Sequence, residues 1–116
     1  MNKFKDLLVW QKAIELATRV YHLTNELPTE EKFGLISQIK KCVVSISSNI
    51  AEGAGRNSKN DFKHFLSIAQ GSSYELETQL IIANNLYLFE KNKLELVLSQ
   101  LEEIQKMITG LQKSLS

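Results

Sequence analysis

The sequence predicts an all-α protein, an antiparallel up-down-up-down four-helix bundle. Apolar residues recur at spacings of three and four along four segments of the chain. The 116 residues include one proline and five glycines, so positions that break a helix are few. Short polar stretches join the segments and favour consecutive helices that lie side by side in opposite directions. We expect a single domain over residues 1–116.

The first helix is expected to begin after Asp6, a residue type that caps helix N-termini, and to run to about Glu26. Its apolar residues form two neighbouring sets. Within each set the residues are three or four positions apart, the spacing of a coiled-coil seam. One set is Leu7, Trp10, Ile14, Ala17 and Tyr21, and the other is Ala13, Leu16, Val20, Leu23 and Leu27. At about 100° per residue the two sets span roughly half of the helix circumference, more than one buried side requires.

The second helix is expected to follow Pro28, with Thr29 as its N-cap ahead of two glutamates. Its core residues are Ile36, Ile39, Val43, Ile46 and Ile50. The glycines of the stretch "EGAGR", Gly53 and Gly55, are interpreted as C-caps. They follow a helix instead of a strand, so the stretch does not predict a phosphate-binding loop.

The third and fourth helices have cap signals of the same kind. Ser58 with Asp61 three residues later predicts the start of the third helix, and Asn92 with Glu95 predicts the start of the fourth. The expected core of the third helix is Phe62, Phe65, Ala69, Leu76, Leu80 and Ala83. The fourth helix follows a strict seam through Leu94, Val97, Leu101, Ile104, Ile108, Leu111 and Leu115.

The stretch "VSISSNIAEGAG" has many small polar residues for a helix. With Val43 at the centre of the core face, a stripe on the far side holds Gln38, Ser45, Asn49 and Glu52. Solvated helix faces usually carry long residues with good helix propensity, whereas short hydrogen-bonding residues let another backbone approach closely. The stripe is interpreted as a packed polar seam against a neighbouring helix, and the alternative is a solvated face that is rich in serine.

A second unusual stripe lies on the third helix, nearly opposite its core face. Tyr74, Ile81 and Leu88 align there at heptad spacing, and Ile68 and Ile82 lie on a flank. Aligned exposed apolar residues indicate a contact surface. With the polar stripe of the second helix, they predict an interface of a homo-oligomer formed by Gln38, Ser45, Asn49, Glu52, Tyr74, Ile81 and Leu88.

Two runs carry a family resemblance. They are Ser-x-x-x-Asn-Ile-Ala-Glu-Gly at residues 45–53 and Gly-Ser-x-x-Glu-Leu-Glu-Thr at residues 71–78. Across nearly its whole length the chain resembles the bacterial four-helix-bundle family of 23S rRNA-intervening-sequence proteins, which is similar in fold to accessory proteins of diversity-generating retroelements. The resemblance implies a ring-like homopentamer. The retroelement proteins are strongly basic and bind nucleic acid and a reverse transcriptase, whereas this chain has a formal net charge of +1.

Residues that support catalysis or metal binding are sparse. Asp61 and His64 form the single approximation to the Glu-x-x-His motif of di-iron bundles, which need two such motifs. Cys42 lies beside the core stripe and is interpreted as a small buried hydrophobic residue. Glu52 and Glu75 are expected to have structural partners. The sequence therefore predicts neither an enzyme, nor a cofactor, nor a small-molecule substrate.

Five basic residues define the alternative function. Lys40, Lys41, Arg56, Lys59 and Lys63 concentrate in the second helix and the turn after it. A ring would repeat this patch and strengthen a weak phosphate attraction, although a merely solvated face is the other interpretation. The leading expectation is a non-enzymatic structural or adaptor module for a protein or RNA partner. The alternative is an accessory protein that binds nucleic acid through these residues.

Targeting signals are not evident in the sequence. No apolar run approaches the roughly 18 residues of a membrane span, and charge returns early in the N-terminal stretch, so we expect neither a membrane segment nor a signal peptide. Cys42 is the only cysteine and forms no intramolecular disulfide. We expect a cytoplasmic protein.

Overall fold

Four α-helices form the molecule in a computed structural model that describes residues 3–116. They are α1 (Leu8–Leu23), α2 (Leu35–Ala54), α3 (Lys59–Tyr87) and α4 (Lys91–Ser114). Short 3-10 turns at Phe4–Asp6, Thr24–Glu26 and Thr29–Glu31 flank α1 and precede α2. No strand occurs within the described residues. The prediction of an all-α protein with four helices is confirmed.

In three pairs of neighbouring helices the contacts indicate an antiparallel orientation, because early residues of one helix contact late residues of the other. The pairs are Lys12–Glu103 and Glu26–Lys93 for α1 with α4, Ser45–Ser72 and Gly53–Phe62 for α2 with α3, and Lys63–Ser116 and Glu77–Gln105 for α3 with α4. The contacts place the helices around the core in the order α1, α2, α3, α4, and this order is compatible with the predicted up-down-up-down bundle. The molecule measures 43 × 25 × 20 Å.

The core follows the apolar spacing of the sequence. Its largest fully buried side chains are Leu16, Val20, Ile39, Val43, Ile46, Ile50, Leu66, Leu76, Leu80, Leu101, Ile104 and Ile108. Of the two apolar sets of α1, the set around Leu16 is buried, whereas Ile14 and Tyr21 of the other set remain 41% exposed. The wide apolar face of α1 therefore contributes to the core on one side and to the surface on the other.

Three predicted helix starts differ from the structure. Asp6 lies in a 3-10 turn and Leu7 is the N-cap residue of α1. Thr29 also lies in a 3-10 turn, and α2 begins six residues later, after Gly34. In α4 the Glu90 carboxylate, not Asn92, accepts the backbone N–H of Lys93 at 2.8 Å. The three predicted caps were therefore wrong. For α2 and α4 the reason is that an upstream carboxylate accepts an N–H of the first turn, since Glu31 accepts the N–H of Leu35 at 3.2 Å in the same way as Glu90 accepts that of Lys93.

The cap predictions at the α2–α3 turn had mixed outcomes. The Ser58 hydroxyl accepts the backbone N–H of Asp61 at 3.0 Å, so this N-cap is confirmed. Gly55 is the C-cap of α2, as expected. Gly53 is not a cap: it is buried inside α2, where a Cβ would lie 2.7 Å from Cβ of Phe65 and 2.9 Å from Cδ1 of Phe62. The absence of a side chain there allows α3 to approach α2.

Candidate assembly surface

The polar stripe of α2 makes its best-defined contact with α3 of the same chain. The hydroxyls of Ser45 and Ser72 are 2.8 Å apart, and the Asn49 amide donates to the Ser45 carbonyl at 2.8 Å and to its hydroxyl at 3.0 Å. Ser45 and Asn49 are half-buried and Ser72 is buried. The packed polar seam inferred from the sequence thus lies at least partly inside the bundle, and a role between subunits remains a prediction.

The two ends of the same stripe are exposed. Gln38 lies near the start of α2, on the surface. Glu52 lies near the end of α2 and pairs with Arg56 at 3.4 Å, with both side chains about half exposed (56% and 46%). A surface pair of this kind contributes little to stability. Both side chains are exposed, so both are accessible to another molecule.

The apolar stripe of α3 is exposed over its whole length. Tyr74 is 53% exposed, Ile81 is 48% exposed and Leu88 is 78% exposed, while Leu76 on the opposite face is fully buried. We call Tyr74, Ile81 and Leu88 the α3 stripe. Tyr74 borders a cleft with Gln105 of α4, so the stripe lies on the α4 side of α3.

The last member of the α3 stripe lies just beyond the helix. Leu88 is the C-cap residue of α3 and has a left-handed backbone with φ of 57°. Its N–H donates to the Asn84 carbonyl at 3.0 Å, and the Asn84 side chain accepts the N–H of Phe89 at 3.0 Å. A leucine in this conformation is uncommon, because Cβ crowds the backbone there. These hydrogen bonds fix Leu88 with its side chain exposed.

The end of the bundle next to Leu88 also exposes large apolar groups that sequence patterns did not single out. Phe33 is 89% exposed and Leu86 is 61% exposed. The Tyr87 hydroxyl donates to the Glu31 carboxylate at 2.5 Å, which ties the end of α3 to the connection between α1 and α2. This bond lowers the pKa of Glu31 and raises the pKa of Tyr87. Phe33 lies in a short non-helical connection, so no apolar periodicity points to it.

The five basic residues do not form one cluster. The Lys40 ammonium lies 4.8 Å from the Tyr21 ring centroid, near the start of α2. Arg56 follows the other end of α2, paired with Glu52 and 4.9 Å from the Phe65 ring centroid. Lys63 donates to the hydroxyl of Ser116 at 3.1 Å. At 1.5 Å per residue, Lys40 and Arg56 are separated by roughly 24 Å along the helix axis.

The side chains of Lys41 and Lys59, the remaining two members of the basic set, are exposed. Lys41 accompanies Lys40 at the start of α2, and Lys59 opens α3 beside Arg56. The structure thus divides the set into two small groups at opposite ends of α2. Their role in binding nucleic acid remains a prediction.

The chain matches a known family over most of its length. The family model described as 23S rRNA-intervening sequence protein matches residues 5–110. The chain belongs to this family.

A solved relative has the same fold. This relative is a protein of unknown function from the S23 ribosomal protein family of Bacteroides thetaiotaomicron, and its sequence is 29% identical to that of this chain. Its crystal structure matches the structure of this chain with a TM-score of 0.83. The similarity covers 91% of this chain and 99% of the relative. No curated protein matches the chain. In this intervening-sequence protein the two sequence runs that carry the resemblance lie at the α2–α3 seam, where Ser45, Gly53 and Ser72 are found.

The residues considered for chemistry are separated in the intervening-sequence protein. Cys42 is a free, buried thiol whose pKa is raised by burial, as expected for a small core residue. His22 and His64 are exposed on different helices. Among residues 3–116, no group of three or more His, Cys, Asp or Glu side chains is placed to hold a metal ion.

The α1–α4 side contains a separate shallow cleft. It has a volume of about 210 Å³ and is lined mainly by apolar surface of Leu23, Leu96 and Val97, with Arg19 and Lys93 at its edge. Arg19 pairs with Glu15 at 3.1 Å, and Lys93 pairs with Glu26 at 3.5 Å, so both cations are already balanced.

Within the described part of the chain, no helix is both long and apolar enough to cross a membrane.

Proposed function

We propose that this intervening-sequence protein is a non-enzymatic homo-oligomer, a ring-like pentamer that serves as a structural or adaptor module for a protein or RNA partner. The observation that supports assembly is the exposure of the α3 stripe in a bundle whose core is already filled. Tyr74, Ile81 and Leu88 are half to three-quarters exposed, although each is large enough to bury substantial apolar area. The subunit number comes from the family resemblance.

Burial of the α3 stripe between subunits is tested by placing a charge in it. Ile81→Glu should dissociate the assembly, because an unpaired carboxylate is costly at a buried contact. Leu96→Glu is the matched control: Leu96 is 44% exposed, close to the 48% of Ile81, and lies on α4 away from the stripe. We expect size exclusion with light scattering to give a monomer for Ile81→Glu and an unchanged mass for Leu96→Glu. Equal masses for both variants would contradict the proposal.

Nucleic-acid binding is the second candidate, and the division of the basic residues weakens it. We expect weak binding at low salt through Lys40, Lys41, Arg56, Lys59 and Lys63, largely lost at physiological ionic strength because phosphate contacts release counterions. Fluorescence anisotropy with a structured RNA at two salt concentrations measures this. Tight, sequence-dependent binding at about 150 mM salt would instead make nucleic acid the leading candidate.

A further inference from the structure

The α3 stripe is not the only exposed apolar surface of the bundle. Ile14 and Tyr21 of α1 and Val44 of α2 are each 41% exposed. Lys40 lies against the Tyr21 ring, and Val44 follows Lys40 by one helical turn. Ile14 precedes Tyr21 by seven residues, about two turns of α1, so the three apolar residues share the outer edge of the α1–α2 seam. We call Ile14, Tyr21 and Val44 the α1–α2 face.

The α1–α2 face and the α3 stripe lie on opposite sides of the bundle. The helices follow one another around the core, so the side formed by α1 and α2 is opposite the side formed by α3 and α4. Tyr74 of the α3 stripe borders the cleft between α3 and α4, with Gln105 and Thr109. A second molecule that covers one of these surfaces therefore leaves the other one exposed.

The two surfaces differ in charge as well as in position. Lys40 and Lys41 accompany the α1–α2 face. The α3–α4 side carries Glu77, Glu95 and Glu102 around one cleft, of which Glu102 pairs with Lys106 at 3.0 Å. Two copies joined through their α3 stripes would bring acidic groups together, whereas a basic face against an acidic one is attractive.

We propose that the α1–α2 face of one copy packs against the α3 stripe of the next copy. This pairing rests on the proposed homo-oligomer and specifies its partner surface. Both apolar surfaces of every subunit are then covered. The contact is heterologous, the type of contact that generates a ring when the rotation between successive copies closes and an open filament when it does not. An isologous dimer through either surface would cover only one of the two surfaces.

Complementary variants test this pairing. Ile14→Glu disables the α1–α2 face and Ile81→Glu disables the α3 stripe, and each variant keeps the other surface intact. Each alone is expected to be a monomer. Mixed, they should form a 1:1 heterodimer of twice 13.2 kDa and nothing larger. The intact α3 stripe of the Ile14→Glu variant can pair with the intact α1–α2 face of the Ile81→Glu variant. The two surfaces that remain free in this heterodimer are the disabled ones, so no further copy can add. Labelling one variant with ¹⁵N lets native mass spectrometry distinguish the heterodimer from a homodimer.

The outcomes separate this pairing from assembly itself. An Ile14→Glu variant that stays assembled, or a mixture that remains monomeric well above the concentration at which the wild type assembles, would overturn the pairing and leave the homo-oligomer standing. A monomeric wild type would overturn both. Circular dichroism of each variant checks its helix content, and Val44→Glu with Tyr74→Glu forms a second pair that should behave in the same way.

Discussion

The two sides of α3 are built in different ways. On the α2 side the contacts are made by small groups. Gly53 packs against Phe62 and Phe65, and the hydroxyls of Ser45 and Ser72 are 2.8 Å apart. On the α4 side long amides bridge the helices: the Gln70 amide donates to the Gln105 carbonyl and to the Thr109 hydroxyl, both at 3.0 Å. The helices are in close contact on the first side and border clefts on the second.

This difference explains why α2 contains so many poor helix formers. Serine and glycine reduce the helix propensity of α2, but they let its backbone approach α3 more closely than longer residues allow. The side chains of Ser45, Asn49 and Ser72 at this seam are hydrogen-bonded within the chain. Ser45 therefore needs no second molecule to explain it, and the inference of assembly rests on the exposed apolar residues instead.

The largest effect is expected from adding a methyl group at the α2–α3 seam. Gly53→Ala places a Cβ less than 3 Å from both Phe62 and Phe65, so we expect a loss of about 1–3 kcal/mol in the free energy of unfolding. Gly110→Ala in α4 is the control, since its new Cβ would meet nothing within 4 Å beyond the local backbone of its own helix, and it should gain up to about 1 kcal/mol from helix propensity. Urea unfolding of both variants measures the difference. Equal responses would show that the two sides of α3 are packed alike.

A smaller effect is expected for the hydrogen bond within the seam. A double-mutant cycle with Ser45→Ala and Ser72→Ala should give a coupling of about 0.5–1.5 kcal/mol, because the two hydroxyls lie in the packed α2–α3 seam. The matched cycle on the α4 side uses Ser67→Ala and Gln112→Ala, whose side chains are 3.0 Å apart near solvent. Its coupling should stay below about 0.5 kcal/mol. A larger value on the α4 side would contradict the comparison.

The smallest effect concerns pH at the bundle end where α3 meets the connection to α2. The pKa of Glu31 lies below its ordinary value of 4.5, chiefly because the carboxylate accepts the Tyr87 hydroxyl. A lowered pKa stabilises the fold above pH 4.5, and that stabilisation is lost as the pH falls through the lowered value. Glu31→Gln should therefore melt slightly earlier than the wild type at neutral pH, and the difference should shrink as the pH falls below 4.5 and through the lowered pKa.

Glu30→Gln is the control for this pH effect, because the bond to Tyr87 is made by the neighbouring carboxylate. Tyr87→Phe removes the same bond from the other partner and should reproduce the loss seen for Glu31→Gln at neutral pH. A difference between Glu31→Gln and the wild type that persists undiminished in acid would argue against the bond as its cause.

Much of the fold is readable from the sequence because the core depends on periodicity. The strict seam of α4 predicted its five buried residues from Leu94 to Ile108, and the hydroxyl of Ser58 predicted where α3 begins. The starts of α2 and α4 were predicted incorrectly, since the first depends on a 3-10 turn before Gly34 and the second on the carboxylate of Glu90. Sequence spacing does not distinguish such local alternatives.

The candidate surface was predictable in part. The alignment of Tyr74, Ile81 and Leu88 opposite Leu76 identified residues that the structure leaves exposed. The partner of Ser45 was not predictable, because it depends on how α2 and α3 are aligned in three dimensions. The division of the basic residues into two groups was not predictable either. They fall within one short stretch of the sequence but lie toward opposite ends of a 20-residue helix.

The mass of the wild-type protein in solution tests the account most directly. The proposed assembly buries both the α3 stripe and the α1–α2 face between subunits. Size exclusion with light scattering across a range of micromolar concentrations should report a mass of five times 13.2 kDa. A stable mass of 13.2 kDa throughout that range would contradict the account, because both apolar surfaces would then face water.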